Sequence, residues 1–110
     1  IEVSNRLIED NPDLIKRFIA ASRLGWQDYL ASDPQPAFDL IQQLNPDMPS
    51  EKLNYAREKM IEYNIVTGDN QKIGSMNADR WKEFYNMSLE LGIYESEFDH
   101  EKAYTLEFSN

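Results

Sequence analysis

Asparagine, aspartate and proline punctuate this chain so densely that helices are what fits between them. Asn11-Pro12-Asp13 offers a capping amide, a proline at the first helical position and an acid in the first turn. Leu14, Ile15, Phe18, Ile19, Trp26, Tyr29 and Leu30 then recur at spacings of three and four, with small Ala21, Ser22 and Gly25 between them. That pattern predicts one long helix from Pro12 to about Ala31. Ser4 is placed to cap a short helix ahead of it, through Glu9. Asp33-Pro34 repeats the signal, and Ala37, Leu40, Ile41 and Leu44 form the next stripe before Asn45-Pro46 stops it. Pro36 falls in the first turn, where its missing donor costs little. Pro49-Ser50-Glu51 opens a third main helix with Leu53, Ala56, Met60 and Tyr63 on one face. Asn77 caps a fourth, which carries Trp81, Phe84, Tyr85, Ser88 and Leu89 and ends at Gly92 with apolar Ile93 behind it. The expected fold class is all-α, a mostly helical fragment of about four main helices, with residues 1–110 forming a single helical segment.

Between these helices, residues 65–76 hold Gly68 and Gly74 around a polar run and read as a turn-rich loop or a very short hairpin. Residues 94–110 are acidic with scattered Phe98, Tyr104 and Phe108, and promise one helical turn from about Asp99. Asn11-Pro12-Asp13-Leu14 and Asn45-Pro46-Asp47-Met48 stand 34 residues apart, the period of tetratricopeptide arrays. The likeness stops there, since one period after Gly25-Trp26 come Lys59 and Met60; ordinary helix capping accounts for both sites. Ile1-Glu2-Val3-Ser4 reads like the tail of a strand, from which a piece of a longer protein is expected.

Twenty acidic against eleven basic residues leave a formal charge of -9, which repels phosphate backbones and anionic membrane surfaces, so nucleic acid is not an expected partner. The absence of cysteine excludes disulfide and thiolate chemistry. No run approaches the roughly 18 apolar residues of a membrane span, and no secretory leader is visible.

Few residues invite a chemical role. His100 sits among Glu97, Asp99 and Glu101, a set that could hold a cation or a proton. Without a second histidine at ligand spacing, a solvated charge run explains it better. Asp69, Gln71 and Gly74 match the first, third and sixth positions of a calcium-binding hand, but Ile73 at the fifth and Arg80 at the twelfth do not. Asp10 with Asp13, and Glu95 with Glu97, read as helix-start acids and surface. Trp26, Tyr29, Trp81 and Tyr85 could line a ligand pocket, although such stripes more often form core or packing surface. No phosphate loop or nucleophile elbow is present. No catalytic, metal-binding or cofactor-binding residue is assigned, no cofactor is implied, and an enzyme is not expected.

Val3-Ser4, Glu9 to Leu14, Phe18, Ala21, Gly25-Trp26, Asp33-Pro34, Ala37, Ile73-Gly74, Met76-Asn77, Arg80-Trp81, Leu91-Gly92-Ile93 and the Asp99–Phe108 segment occur in a telling order. In that order and spacing the chain resembles the C-terminal part of bacterial periplasmic solute-binding proteins of ABC transporters, in the family that includes thiamine-pyrimidine-precursor and alkanesulfonate binders. The resemblance covers essentially the whole chain. It implies a parent with an α/β two-lobed type II periplasmic-binding fold, in which this segment follows the second hinge crossing and returns as helices against the first lobe. Ligand contacts in that family lie mostly in the preceding portion, so no ligand-binding residue can be named here. Its pyrimidine-forming enzymes use a histidine- and cysteine-rich motif that nothing in this sequence matches, His100 included. Pro36 stands where the family usually has an acid, which changes only a helix start, and Leu106 stands where an asparagine is common, which puts the docking of the tail in question.

The resemblance implies the helical segment of a periplasmic or cell-envelope receptor that hands a small molecule, such as a thiamine pyrimidine precursor, to a membrane permease. Its immediate partners would be the N-terminal lobes of the same protein. Two other readings stand beside it: a stand-alone helical module that receives a partner peptide, and part of a pyrimidine-synthesising thiamine biosynthesis enzyme. If the fragment reading holds, uncovered apolar faces should make the isolated chain self-associate.

Overall fold

Asn11 gathers the first two helices of the chain. Its backbone N–H donates to the Leu7 carbonyl, closing α1 (Asn5–Asp10), while its side-chain oxygen accepts from the Leu14 N–H at 3.1 Å, opening α2 (Pro12–Ala31). These assignments come from a computed structural model, which describes residues 1–67 and 72–109. The chain continues through α3 (Gln35–Leu44), α4 (Ser50–Glu62), α5 (Ala78–Glu90) and a 3-10 turn at His100–Ala103. No β-strand occurs among the described residues, so the all-α expectation holds. Ile1 to Ser4, read above as the tail of a strand, has no regular structure. Two compact units make up the chain, Ile1–Gly74 and Ser75–Asn110.

In the first unit the buried apolar residues are Ile15, Phe38 and Leu53, one from each of α2, α3 and α4. The stripe expected on α3 is turned relative to its surroundings: Phe38 is buried, whereas Leu40 and Leu44 are exposed. Apolar residues occupy both sides of this helix, and the aromatic ring, which removes the most area from water, takes the inside. Edge-on contact with Tyr29 at 6.2 Å ties that ring to α2. Pro34, not Asp33, is the N-cap of α3, but the Asp33 carboxylate still accepts the Gln35 N–H at 3.0 Å. Gln42 reaches from α3 to the Met48 carbonyl and the Ser50 hydroxyl, fixing the start of α4.

A second correction concerns α4. Tyr63, expected on its packed face, is exposed, because the helix ends at Glu62. Asn64 then turns the chain with φ 52, its N–H donating to the Ile61 carbonyl and that of Ile65 to the Met60 carbonyl. This pair of bonds is a Schellman motif with asparagine in the left-handed position. The inward side of α4 is completed by Arg57, which has no place in an apolar stripe. Its guanidinium crosses to the end of α2 and donates to the carbonyls of Tyr29 at 2.8 Å, Leu30 at 2.7 Å and Ser32 at 3.3 Å.

The second unit opens α5 at Asn77, whose side chain accepts the Arg80 N–H at 2.8 Å. It closes α5 at Gly92, φ 67, where the Gly92 N–H donates to the Leu89 carbonyl and the Ile93 N–H to that of Ser88. The turn expected from Asp99 is present, with the Asp99 side chain accepting the Glu101 N–H. No helix among the described residues is long and apolar enough to cross a membrane.

Candidate functional site

Trp81 and Tyr85 lie one helical turn apart on the same side of α5, and the residues after Gly92 fold back against that side. Tyr85 is the centre of the resulting cluster. The His100 ring stacks on it at 4.6 Å and 7°, the Phe98 ring meets it edge-on at 5.1 Å, and Tyr94 stands at 6.2 Å. The Tyr85 hydroxyl accepts the Phe98 N–H at 3.0 Å, so the phenol holds the returning backbone as well as its rings. One turn earlier Trp81 stacks on Tyr104 at 5.0 Å and 4°. Phe108 and Ser109 are buried in the same unit.

These contacts revise the sequence expectation for the tail. Glu97, Asp99 and Glu101 are exposed as expected of a solvated run, but His100 is half-buried against a phenol ring. Asp99 caps the 3-10 turn and pairs with Lys102 at 3.2 Å, so it is occupied locally. Among the described residues no group of three or more His, Asp or Glu could hold a metal ion. Of the calcium-hand positions, Asp69 and Gln71 lie outside the described residues; Gly74 has φ 69 and Arg80 sits in the first turn of α5.

In the first unit a cavity of about 230 Å³ opens between the end of α2 and the end of α4. Leu30, Ala31, Met60, Ile61 and Val66 give it apolar walls, with Gln27, Asn64 and Thr67 as polar groups. Ligand pockets ordinarily enclose about 300–1,000 Å³ and carry a few convergent polar groups. This cavity is smaller, and no acidic or basic side chain lines it. None of the four aromatic candidates lines it either. Trp26 instead meets Tyr29 edge-on at 5.9 Å, and Tyr29 continues to Phe38. In both units the aromatic rings turn their faces and edges to one another, which makes them packing elements.

The chain is similar to a riboflavin-binding protein. That relative, riboflavin-binding protein RibY of Chloroflexus aurantiacus, is 31% identical across 113 aligned positions, which cover 98% of this chain and 32% of the relative. The likeness therefore runs from end to end of this chain, while the chain spans about a third of the relative's length. No protein-family model and no solved structure matches the chain.

Proposed function

We propose that this chain is a helical segment of a small-molecule solute-binding receptor, and that the receptor takes up a flat heteroaromatic compound, riboflavin being the first candidate. The observation that carries this reading is the end-to-end match with about a third of a riboflavin-binding protein. The resemblance to periplasmic solute-binding proteins, carried by residues of the same stretch, points the same way. In this reading the remaining two thirds supply the two α/β lobes and the ligand contacts, and the helices described here support the first lobe. The receptor works in the periplasm or cell envelope, delivers its ligand to a membrane permease and catalyses no reaction. A thiamine pyrimidine precursor, also a flat nitrogen heterocycle, is the second ligand to try.

Coding sequence upstream of Ile1 tests the reading most directly. A continuous frame encoding strands and helices in alternation is the expected result, and a start codon immediately before Ile1 would sink it. The complete product is then titrated with riboflavin, whose emission should be quenched on binding, and with the pyrimidine precursor. Failure of both ligands removes the proposed substrate class.

A further inference from the structure

Along α2 runs a row of residues that the packing described above leaves open. Leu14, Phe18, Ala21 and Gly25 follow one another at spacings of three and four, on a side of the helix distinct from buried Ile15. Leu14 is 41% and Phe18 58% exposed, and Ala21 and Gly25 are exposed with them. The hydroxyl beside the row, that of Ser22, donates to the Phe18 carbonyl at 2.8 Å and so adds no free polar group to it. Arg17 and Asp28, both exposed, border its outer edge.

Gly25 distinguishes this row from other exposed apolar surface. A glycine inside a helix loses more backbone freedom on folding than alanine and weakens the helix. A left-handed backbone or a close neighbour accounts for such a residue elsewhere, and Gly25 has neither here. Its φ is not positive, unlike those of Gly74 and Gly92, and a Cβ built on it would meet nothing within 4 Å beyond its own helix. The helix α3, which also exposes Leu40 and Leu44, contains no glycine.

We propose that this row is the seat of the receptor's first lobe, an apolar helix or strand of which crosses α2 with its backbone against Gly25. The contact rests on the receptor reading above, which places about two thirds of the polypeptide outside this chain. Two arguments select that occupant. A lobe on the same polypeptide meets α2 at an effective concentration of about a millimolar, which a second copy or a separate protein does not reach in dilute solution. The row also offers no charge and no free donor or acceptor, so a partner recognised by ion pairs or hydrogen bonds gains nothing there, whereas the elements of an α/β lobe bury an apolar face. Leu14 and Phe18 then pack between side chains of the lobe, and the small Ala21 and Gly25 admit its backbone, which puts the closest approach in the C-terminal half of α2. Arg17 and Asp28 mark the rim at which the contact meets water.

The complete gene product is the material for the test, with single cysteines introduced into this cysteine-free segment. Thiol labelling of Phe18→Cys should run about a hundredfold slower than that of Ala20→Cys, an exposed position on another side of α2, because modification of a covered site waits for local opening. The mass of the peptide that carries the introduced cysteine reads the labelling, and Leu14→Cys repeats the measurement should Phe18→Cys not fold. Gly25→Ala adds a test of sign. On an open helix face alanine would raise the urea midpoint, whereas beneath a packed backbone it should lower it, and Gly25→Leu should lower it further. Equal labelling at the two positions overturns the proposal, as does a Gly25→Ala protein more stable than its parent. Both readouts are taken without ligand, so they separate this contact from the ligand assignment: a product that binds neither riboflavin nor the pyrimidine precursor, yet protects Phe18→Cys, loses its proposed substrate class and keeps the seat. A start codon immediately before Ile1 removes the lobe and overturns both.

Discussion

The end of α2 and the end of α5 solve one problem by different means. Each helix leaves its last carbonyls without intrahelical partners, and neither has a basic residue in its last turn. At α5 the solution is local: Gly92 takes the left-handed conformation, and the N–H groups of Gly92, Ile93 and Tyr94 return to the carbonyls of Leu89 and Ser88. At α2 only the Ser32 N–H returns, to the Asp28 carbonyl; the carbonyls of Tyr29, Leu30 and Ser32 are met by Arg57, from a helix that begins at Ser50. A cation there also faces the negative end of the helix dipole. The local device holds one helix end, whereas the remote one also fixes α4 against α2. Removing each should therefore differ in magnitude and in kind.

Arg57→Ala should have the largest effect. Half-buried carbonyls lose charged donors, and hydrogen bonds to charged groups contribute about 1.5–3 kcal/mol each, partly recovered by water. A loss of about 2–4 kcal/mol in urea unfolding is expected, with faster amide exchange in the last turn of α2. Arg57→Lys keeps the charge but not the planar fork, and should fall between the two. If Arg57→Ala proved no worse than the glycine substitution below, the remote closure would be redundant and the comparison would fail.

Gly92→Ala comes next. An added Cβ meets nothing within 4 Å, so the expected loss is the backbone penalty of a left-handed alanine alone, about 1–2 kcal/mol. Amide exchange should speed up at Gly92, Ile93 and Tyr94 and leave the first unit unchanged. A global loss matching that of Arg57→Ala would show that the α5 end is more than a local closure.

This contrast also explains what the sequence could disclose. Ser4, Asn11 and Asn77 were legible as caps, and Gly92 as a stop, because the donor and the acceptor lie within a few residues of each other. The long helix Pro12–Ala31 was legible for the same reason. Arg57 was not, since a charge on a mixed face looks like any solvated residue until the end of another helix is placed beside it. Nor was Phe38: apolar periodicity says that α3 has an oily side, but with Leu40 and Leu44 also available it does not say which edge is covered. In the candidate site Trp81 and Tyr85 were visible as one face, while their stacking on Tyr104 and His100 depends on the chain reversal after Gly92 and on the Asp99 cap acting together. The oxygen-rich tail around His100 looked like open surface because the neighbouring acids are exposed.

Ser88→Ala sharpens the α5 side of the comparison from the opposite direction. The Ser88 carbonyl receives the Ile93 and Tyr94 N–H groups, while its hydroxyl is fully buried and has no hydrogen-bond partner among the described residues. Removing an unsatisfied buried hydroxyl and substituting a better helix former should stabilise the protein by about 1 kcal/mol. The closing bonds themselves use only backbone, so amide protection at Ile93 and Tyr94 should persist. A destabilised Ser88→Ala protein would mean that the hydroxyl has a partner and that the end of α5 is not closed by backbone alone.

The smallest effect is expected where the local device is built with a different residue. At the end of α4, Asn64 holds φ 52 and the same two bonds form as at Gly92, from Asn64 to Ile61 and from Ile65 to Met60. Asparagine tolerates the left-handed region better than other residues with a Cβ, though less well than glycine. Asn64→Gly relieves that residual strain but also gives the unfolded chain more freedom, so the net gain should be a few tenths of a kcal/mol. Asn64→Ala should instead lose about 1 kcal/mol, close to the value for Gly92→Ala. Chemical denaturation of Asn64→Gly, Asn64→Ala and Gly92→Ala side by side decides the matter. If Asn64→Ala were silent while Gly92→Ala was costly, the bonds at Asn64 would contribute little, and α4 would be held by Arg57 rather than by its own end.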